Sequence, residues 1–284
     1  MQGGPKRALD ALVQLRPDFE HLAISARDAI VVEDLRKTYA DGTEAVRGVS
    51  IRVARGECYG LLGPNGAGKS TIMGMLGTLV RPTSGRATVG GFDVVVEPRE
   101  VRRHIGFAMQ EVGVDAFATA RELLVLQGRL HGLRRAEAVH RADLLLALVG
   151  LAELADKRLS GFSGGMQRRV DLAASLMHLP AVVFLDEPTE GLDPRARAAI
   201  WDALDQLRAH LGVTVVLTTH YMEEADRLCD RLGIIDRGSI VVEDTPAALK
   251  ASVRGDSLEN VYLHYTGHSF AAAGGVPPVL EAVA

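Results

Sequence analysis

Gly63-Pro64-Asn65-Gly66-Ala67-Gly68-Lys69-Ser70-Thr71 is the stretch on which the reading of this chain turns. It has the form G-x-x-x-x-G-K-S, a phosphate-binding loop. The mostly apolar run Cys58-Tyr59-Gly60-Leu61-Leu62 precedes it and reads as a strand. The apolar stretch Ile72 to Val80 follows and reads as a buried helix. Strand, glycine loop and helix together are the setting in which the motif works; a ligand-free glycine turn would not call for them. Gly63, Gly66 and Gly68 carry no Cβ, so the backbone can wrap closely round a polyphosphate. The amides of Gly66 to Ser70 then point inward at a helix N-terminus, where the dipole favours anions. Lys69 supplies a mobile cation for the β- and γ-phosphates, and Ser70 can set a hydroxyl on Mg²⁺.

A phosphate loop implies a nucleotide without saying which machine uses it. With 284 residues, 47% hydrophobic and 24% charged, the chain has room for one large domain or two modest ones around a sizeable core. A formal net charge of −4 supplies no global basic field for nucleic acid. Cys58 and Cys229 form no disulfide framework and suit a reducing compartment. No apolar run approaches the roughly 18 residues of a membrane-spanning helix. Asp10, Arg16, Asp18 and Glu20 interrupt any secretory apolar core near the amino end.

Downstream of the loop, Arg86 to Val89 and Ile105 to Met109 read as strands, with Gln110 at the end of the second. That glutamine can reach Mg²⁺ and an attacking water, or simply bond to a loop. From Ala116 to Leu179 the pattern is helical, with apolar residues three and four apart in Ala120–Leu130, Ala136–Val149 and Gly164–His178. Arg134, Arg135, His140 and Arg141 read as a solvated basic face. Ser163 is a good N-cap for the third of these helices, expected to bury Met166, Val170, Ala173 and Met177. Gly164 and Gly165 are poor helix formers, but they let a ligand approach the first-turn amides closely. Ordinary capping explains Ser163 equally well.

Ala181-Val182-Val183-Phe184-Leu185 is continuously apolar, as a central strand of a parallel sheet must be, and it ends in Asp186-Glu187-Pro188. Open α/β sheets bind ligands at the carboxyl ends of such strands. Asp186 there can hold the Mg²⁺ shell, and Glu187 can orient or deprotonate a water. Val213 to Leu217 is a second central strand, which sets His220 at the same sheet edge, in reach of a γ-phosphate. Gly191-Leu192-Asp193-Pro194 turns the chain into a helix from Arg195 to Leu211, and the strands Leu232–Ile235 and Ser239–Val242 close the sheet.

Upstream, Ala29–Val32 and Val46–Val53 read as strands of a small antiparallel sheet against the nucleotide site. Tyr39 on that sheet could stack on a purine or be a half-buried strand tyrosine. Residues Met1 to Asp28 read as a loosely ordered extension. It includes a short helix from Arg7 to Leu15, with Leu9, Leu12 and Val13 on one side and Pro17 as its stop. At the other end, Thr245-Pro246 starts a helix. Asp256 to Glu259 resembles a capping box, with Leu258, Val261, Tyr262 and Tyr265 on one face after it. Ala271 to Ala284 reads as a loose tail.

The phosphate loop, Gln110, Ser163-Gly164-Gly165, Asp186-Glu187, Asp193 and His220, in this order and spacing, resemble the ATP-binding subunit of ABC transporters from about Ala29 to Asp244. The resemblance implies an α/β fold: a RecA-like phosphate-loop core with an antiparallel β subdomain and an inserted helical subdomain at about 111–179, flanked by the extension 1–28 and a helical tail at 245–284. It implies that Tyr39 stacks on adenine and that Gln110 is the Q-loop glutamine. Asp186 and Glu187 correspond to the Walker B acid and the catalytic carboxylate, Asp193 to the D-loop and His220 to the switch histidine. Ser163-Gly164-Gly165 looks like the family signature, although Phe162 before it and Met166-Gln167 after it depart from the commonest form. The cofactors implied are ATP and Mg²⁺. The implied partners are a second ATP-binding subunit, as a homodimer, and a separate membrane permease, which places the chain on the cytoplasmic face of the cell membrane; no nucleic acid is implied. The runs Met166-Gln167-Arg168-Arg169 and Asp171-Leu172-Ala173-Ala174-Ser175-Leu176, with the tail segments Leu249–Val253 and Asp256–Glu259, are similar to the daunorubicin-resistance group of drug exporters. A soluble, non-transport ABC ATPase is the alternative; its ribosome-bound forms usually carry two such cassettes and its chromosome-type forms long coiled coils, neither of which is present here. A GTPase or kinase reading lacks both an N-K-x-D motif and the signature helix.

Overall fold

The computed structural model describes residues 5–15, 28–109, 117–253 and 257–268. Helix α1 (Pro5–Gln14) precedes strands β1 (Asp28–Thr38), β2 (Glu44–Ala54) and β3 (Cys58–Leu62), then helix α2 (Lys69–Leu76). Next come β4 (Ser84–Val89), β5 (Phe92–Asp93), α3 (Pro98–His104) and β6 (Ile105–Ala108). Helices α4 (Ala120–Leu130), α5 (Arg135–Leu148) and α6 (Gly164–Ser175) lead to β7 (Val182–Asp186) and α7 (Pro194–Leu211). The remainder is β8 (Thr214–Thr219), α8 (Met222–Leu228), β9 (Arg231–Asp236), β10 (Ser239–Asp244), α9 (Pro246–Ser252) and α10 (Leu258–Thr266).

Among the described residues ten strands make two sheets, ordered β2-β1-β4-β5 and β10-β9-β3-β8-β7-β6. The first is antiparallel, and β4 joins it on the side of β1 away from β2. In the second, β9, β3, β8, β7 and β6 run parallel, and β10 pairs antiparallel with β9 at the edge. Every residue of β3, β7 and β8 is buried, as expected where both faces of a parallel sheet are covered. Alternation sorts their side chains into two cores. Val183, Leu185, Val215 and Leu217 pack with the helical layer, while Val182, Phe184, Val216, Tyr59 and Leu61 pack with α2 and the antiparallel sheet. Because β3, β8 and β7 are neighbours, the loop after β3, the Thr219–His220 corner after β8 and the acids ending β7 emerge side by side.

Three expectations change on contact with the fold. The segment expected as a loose extension contains a docked helix: Ala8, Leu9 and Leu12 of α1 are buried and join the core beside α5 and α7, while Val13 faces out. The basic face divides: Arg134, Arg135 and His140 are exposed, but Arg141 is buried, donating from Nη1 to Met177 O (2.9 Å) and from Nη2 to Glu137 Oε1 (2.7 Å). The last helix is capped by Ser257, whose Oγ accepts from Asn260 N at 3.4 Å; Asp256 lies outside the described residues. On its face Leu258, Val261 and Tyr262 are buried and Tyr265 is exposed. Ala271 to Ala284 also lie outside the described residues. No helix among the described residues is long and apolar enough to cross a membrane.

Candidate active site

The loop 63–71 joins β3 to α2 and lines a cleft of about 290 Å³ with Asn65, Gly66 and residues 68–71, closed by Ala45 and Glu187. Its tight turn depends on two glycines for reasons internal to the protein. Gly68 has φ +104°, and a Cβ there would run into the carbonyl oxygen of Ala45; a Cβ on Gly63 would run into that of Ile235. Gly66, at φ +80°, faces open space. Pro64 O accepts from Ala67 N (3.2 Å), and Ala67 O accepts from Gly238 N (2.9 Å), pinning the loop to the β9–β10 turn. Gly68 occupies the N-cap of α2 without a side-chain cap, so no capping side chain takes the first-turn amides. Ser70 and Thr71 line the cleft beside them.

Lys69 is buried beneath the loop. Its Nζ donates to Gly63 O (2.8 Å) and Pro64 O (3.1 Å) and pairs with Glu187 Oε1 at 3.1 Å. The other carboxylate oxygen of Glu187 meets His220 Nδ1 at 3.0 Å. Burial pushes the Glu187 carboxyl up, but the His220 hydrogen bond and the Lys69 charge outweigh it and hold the group below the usual carboxylate range. The backbone of Glu187 is left-handed, with φ +48°. Its amide donates to Thr218 Oγ1 (3.0 Å) and Thr218 O (3.2 Å), while Thr218 Oγ1 itself donates to Asp186 Oδ1. The His220 ring lies against Tyr221 with centroids 4.2 Å apart. A buried cation, a buried carboxylate and an imidazole thus form one contact chain at the mouth of the phosphate loop.

Of the remaining residues singled out in the sequence, Tyr39 follows β1, is 40% exposed, and sets its hydroxyl 3.4 Å from Thr71 Oγ1. Ser163 caps α6, accepting from Met166 N at 3.3 Å. Asp193 caps α7, accepting from Ala196 N at 2.9 Å. Gly164 faces open space, whereas a Cβ on Gly165 would stand 2.8 Å from Ala196 Cβ, so Gly165 lets α6 seat against the start of α7. Met166 is half-buried, and Val170, Ala173 and Met177 are buried as expected. Among the described residues no hydrogen bond or ion pair joins 163–165 to the loop 63–71. Gln110 lies outside the described residues.

Sequence reading missed three groups. Thr218 braces Asp186 and Glu187; its place one residue before the Thr219–His220 corner was the available signal. Glu190 places a carboxylate oxygen within 4.8 Å of Glu187 and His220. Arg168, three residues past the Gly-Gly pair of α6, lies buried against the end of β7.

The family model described as ABC transporter matches residues 46–190. Among curated proteins, the daunorubicin resistance ATP-binding protein DrrA3 of Streptomyces coeruleorubidus is 48% identical over 89% of this chain and 79% of its own length. The linearmycin resistance ATP-binding protein LnrL of Bacillus subtilis is 41% identical over 85% of this chain and 77% of its own. Among solved structures, an ATP-binding subunit of an ABC transporter superposes with a TM-score of 0.75 at 29% identity, over 84% of this chain and 99% of the other.

Proposed function

This chain belongs to the ABC transporter family as an ATP-binding, ATP-hydrolysing subunit, and we propose that it powers an exporter that moves a drug, antibiotic or lipid-like molecule through a separate membrane permease from the cytoplasmic face. The resistance relatives, named for daunorubicin and linearmycin, support the cargo class. The observation that carries the chemistry is the chain Gly63 O–Lys69–Glu187–His220 at the mouth of the phosphate loop. ATP docks its phosphates on the first-turn amides of α2, with Tyr39 against the adenine. The incoming γ-phosphate becomes a new partner for Lys69 Nζ and releases Glu187 Oε1 to hold a water in line with the terminal phosphorus. A carboxylate kept ionised is an acceptor for the proton of that water, and His220 fixes its orientation. Mg²⁺ would offset phosphate charge. Ser70 Oγ and the Asp186 carboxylate, hard oxygen donors of the kind this ion takes, are the residues that would hold it, with Gln110 as a further donor.

Ser163–Gly165 and Asp193 act in this reading across a dimer of two copies, where the exposed N-terminus of α6 meets the nucleotide held by the opposite chain. The test of the transport reading is co-purification with candidate multi-span membrane proteins, with ATPase and efflux measured against anthracycline and polyene cargo. The expected result is cargo-stimulated ATPase and efflux that both vanish with Lys69→Ala in the complex. Failure of every membrane candidate to bind, with full ATPase in the free chain, would return the protein to the soluble ATPase class.

A further inference from the structure

Resting on the reading of Glu187 as the residue that orients water, we propose that Arg168 of α6 is a positioning residue for hydrolysis, acting through the backbone of Glu187. Its guanidinium spans the turn that ends β7. Nη2 donates to Asp186 O (2.6 Å) and Glu187 O (3.1 Å), and Nε donates to Pro188 O (3.0 Å). Nη1 reaches across to Met109 O, at the end of the β6 segment, and lies 3.6 Å from Asp171 Oδ2. One side chain therefore ties three consecutive carbonyls of the catalytic turn, and the segment that leads into Gln110, to the helix that begins at Ser163.

The turn needs such a tie. Glu187 is a non-glycine residue at φ +48°, a conformation that L side chains resist and that persists only when the surroundings over-determine it. On the amide side, Thr218 supplies the restraint. On the carbonyl side it comes from Arg168, helped by Glu190 N, which donates to Glu187 O at 3.2 Å. The planar fork matters because its donors diverge at fixed angles and meet several carbonyls together; an ammonium on a flexible stem cannot. Arg168 is not among the residues that line the cleft, so its loss should leave the phosphate cradle intact and let the Glu187 carboxylate wander from the position where Lys69 and His220 now meet it.

The experiment is a double-mutant cycle in the purified full chain with Arg168→Lys, Glu187→Gln and the pair together. It reads kcat, ATP affinity and thermal midpoint, with Arg168→Gln as a second variant should the lysine protein fold poorly. Arg141→Met, which removes another buried arginine away from the cleft, is the stability control. The result expected is a fall in kcat of about 10-fold or more for Arg168→Lys, ATP affinity within about 3-fold of wild type, and no further loss when Arg168→Lys is added to Glu187→Gln. Arg141→Met should lower the thermal midpoint without that loss of kcat. An Arg168→Lys protein with wild-type kcat, or one whose loss multiplies fully with that of Glu187→Gln, would overturn the proposal while leaving Glu187 in place. Wild-type turnover in Glu187→Gln alone would instead remove the reading on which it rests.

Discussion

Lys69 and Glu187 form a buried ion pair, and such pairs contribute little net stability because desolvation offsets their attraction. Their value here lies in exchangeability: each of the three donors of Lys69 Nζ has a partner, and a phosphate oxygen can take the place of Glu187. Lys69→Ala should therefore weaken ATP binding and lower turnover by at least about 100-fold; titration with a fluorescent ATP analogue beside a phosphate-release assay checks both, and unchanged values in both would take the loop out of the mechanism. Single residues were unevenly legible. The motif marks Lys69, Asp186, Glu187 and His220 in a bare sequence because each ends or follows a strongly apolar strand, so the strand supplies the location. Arg168 and Arg141 carry no such marker. Arg141 reads with the solvated basic face and Arg168 only as part of the Met166–Arg169 run, and only the third dimension shows that they donate to backbone carbonyls of other segments. The glycines were legible as a motif, but at Gly63 and Gly68 the side chain is excluded by backbone from β9 and β2, which no local pattern encodes.

At the scale of elements, the continuous apolar runs of β3, β7 and β8 were readable because a strand covered on both faces admits no polar alternation. The helices α4 to α6 were readable from their three-and-four spacing. Helix α1 reads as a helix but not as a docked one, because its buried face amounts to Ala8, Leu9 and Leu12, too few to announce a docking site. Helices α3 and α8, of seven residues each, are too short for a periodic signal. Where α4 and α6 approach β6, His178 Nε2 lies 2.8 Å from Ile105 O, and the ring stacks on His131 with centroids 3.9 Å apart. Burial, with help from the His131 neighbour, pushes His178 down to about 4. The sign follows: below an ordinary histidine value of about 6.5 the unfolded chain takes a proton that the folded chain refuses, so stability falls with pH through that window until the folded form also protonates near 4. His178→Gln, which keeps a donor for Ile105 O, should remove this share. Urea unfolding at about pH 7 and pH 5 should show wild type losing about 2 kcal/mol more than the variant. Equal losses in the two proteins would place the titration elsewhere.

For the whole molecule, sheet order is what turns separate motifs into a site: β8 lies between β3 and β7, so phosphate loop, acids and histidine share one edge. No strand taken alone encodes that order, since pairing partners of parallel strands are far apart in sequence. The same fold leaves Ser163–Gly165 without a hydrogen bond or ion pair to the loop 63–71 among the described residues, which is why a second copy enters the account. Glu187→Gln tests the central claim most directly, because it joins the chemistry to the dimer: turnover, ATP affinity and oligomeric state are measured together on the purified chain with Mg²⁺ and ATP. The account predicts retained ATP binding, turnover reduced by about 100-fold or more, and a stable ATP-loaded dimer. Near wild-type turnover in a protein that remains monomeric with ATP would contradict it.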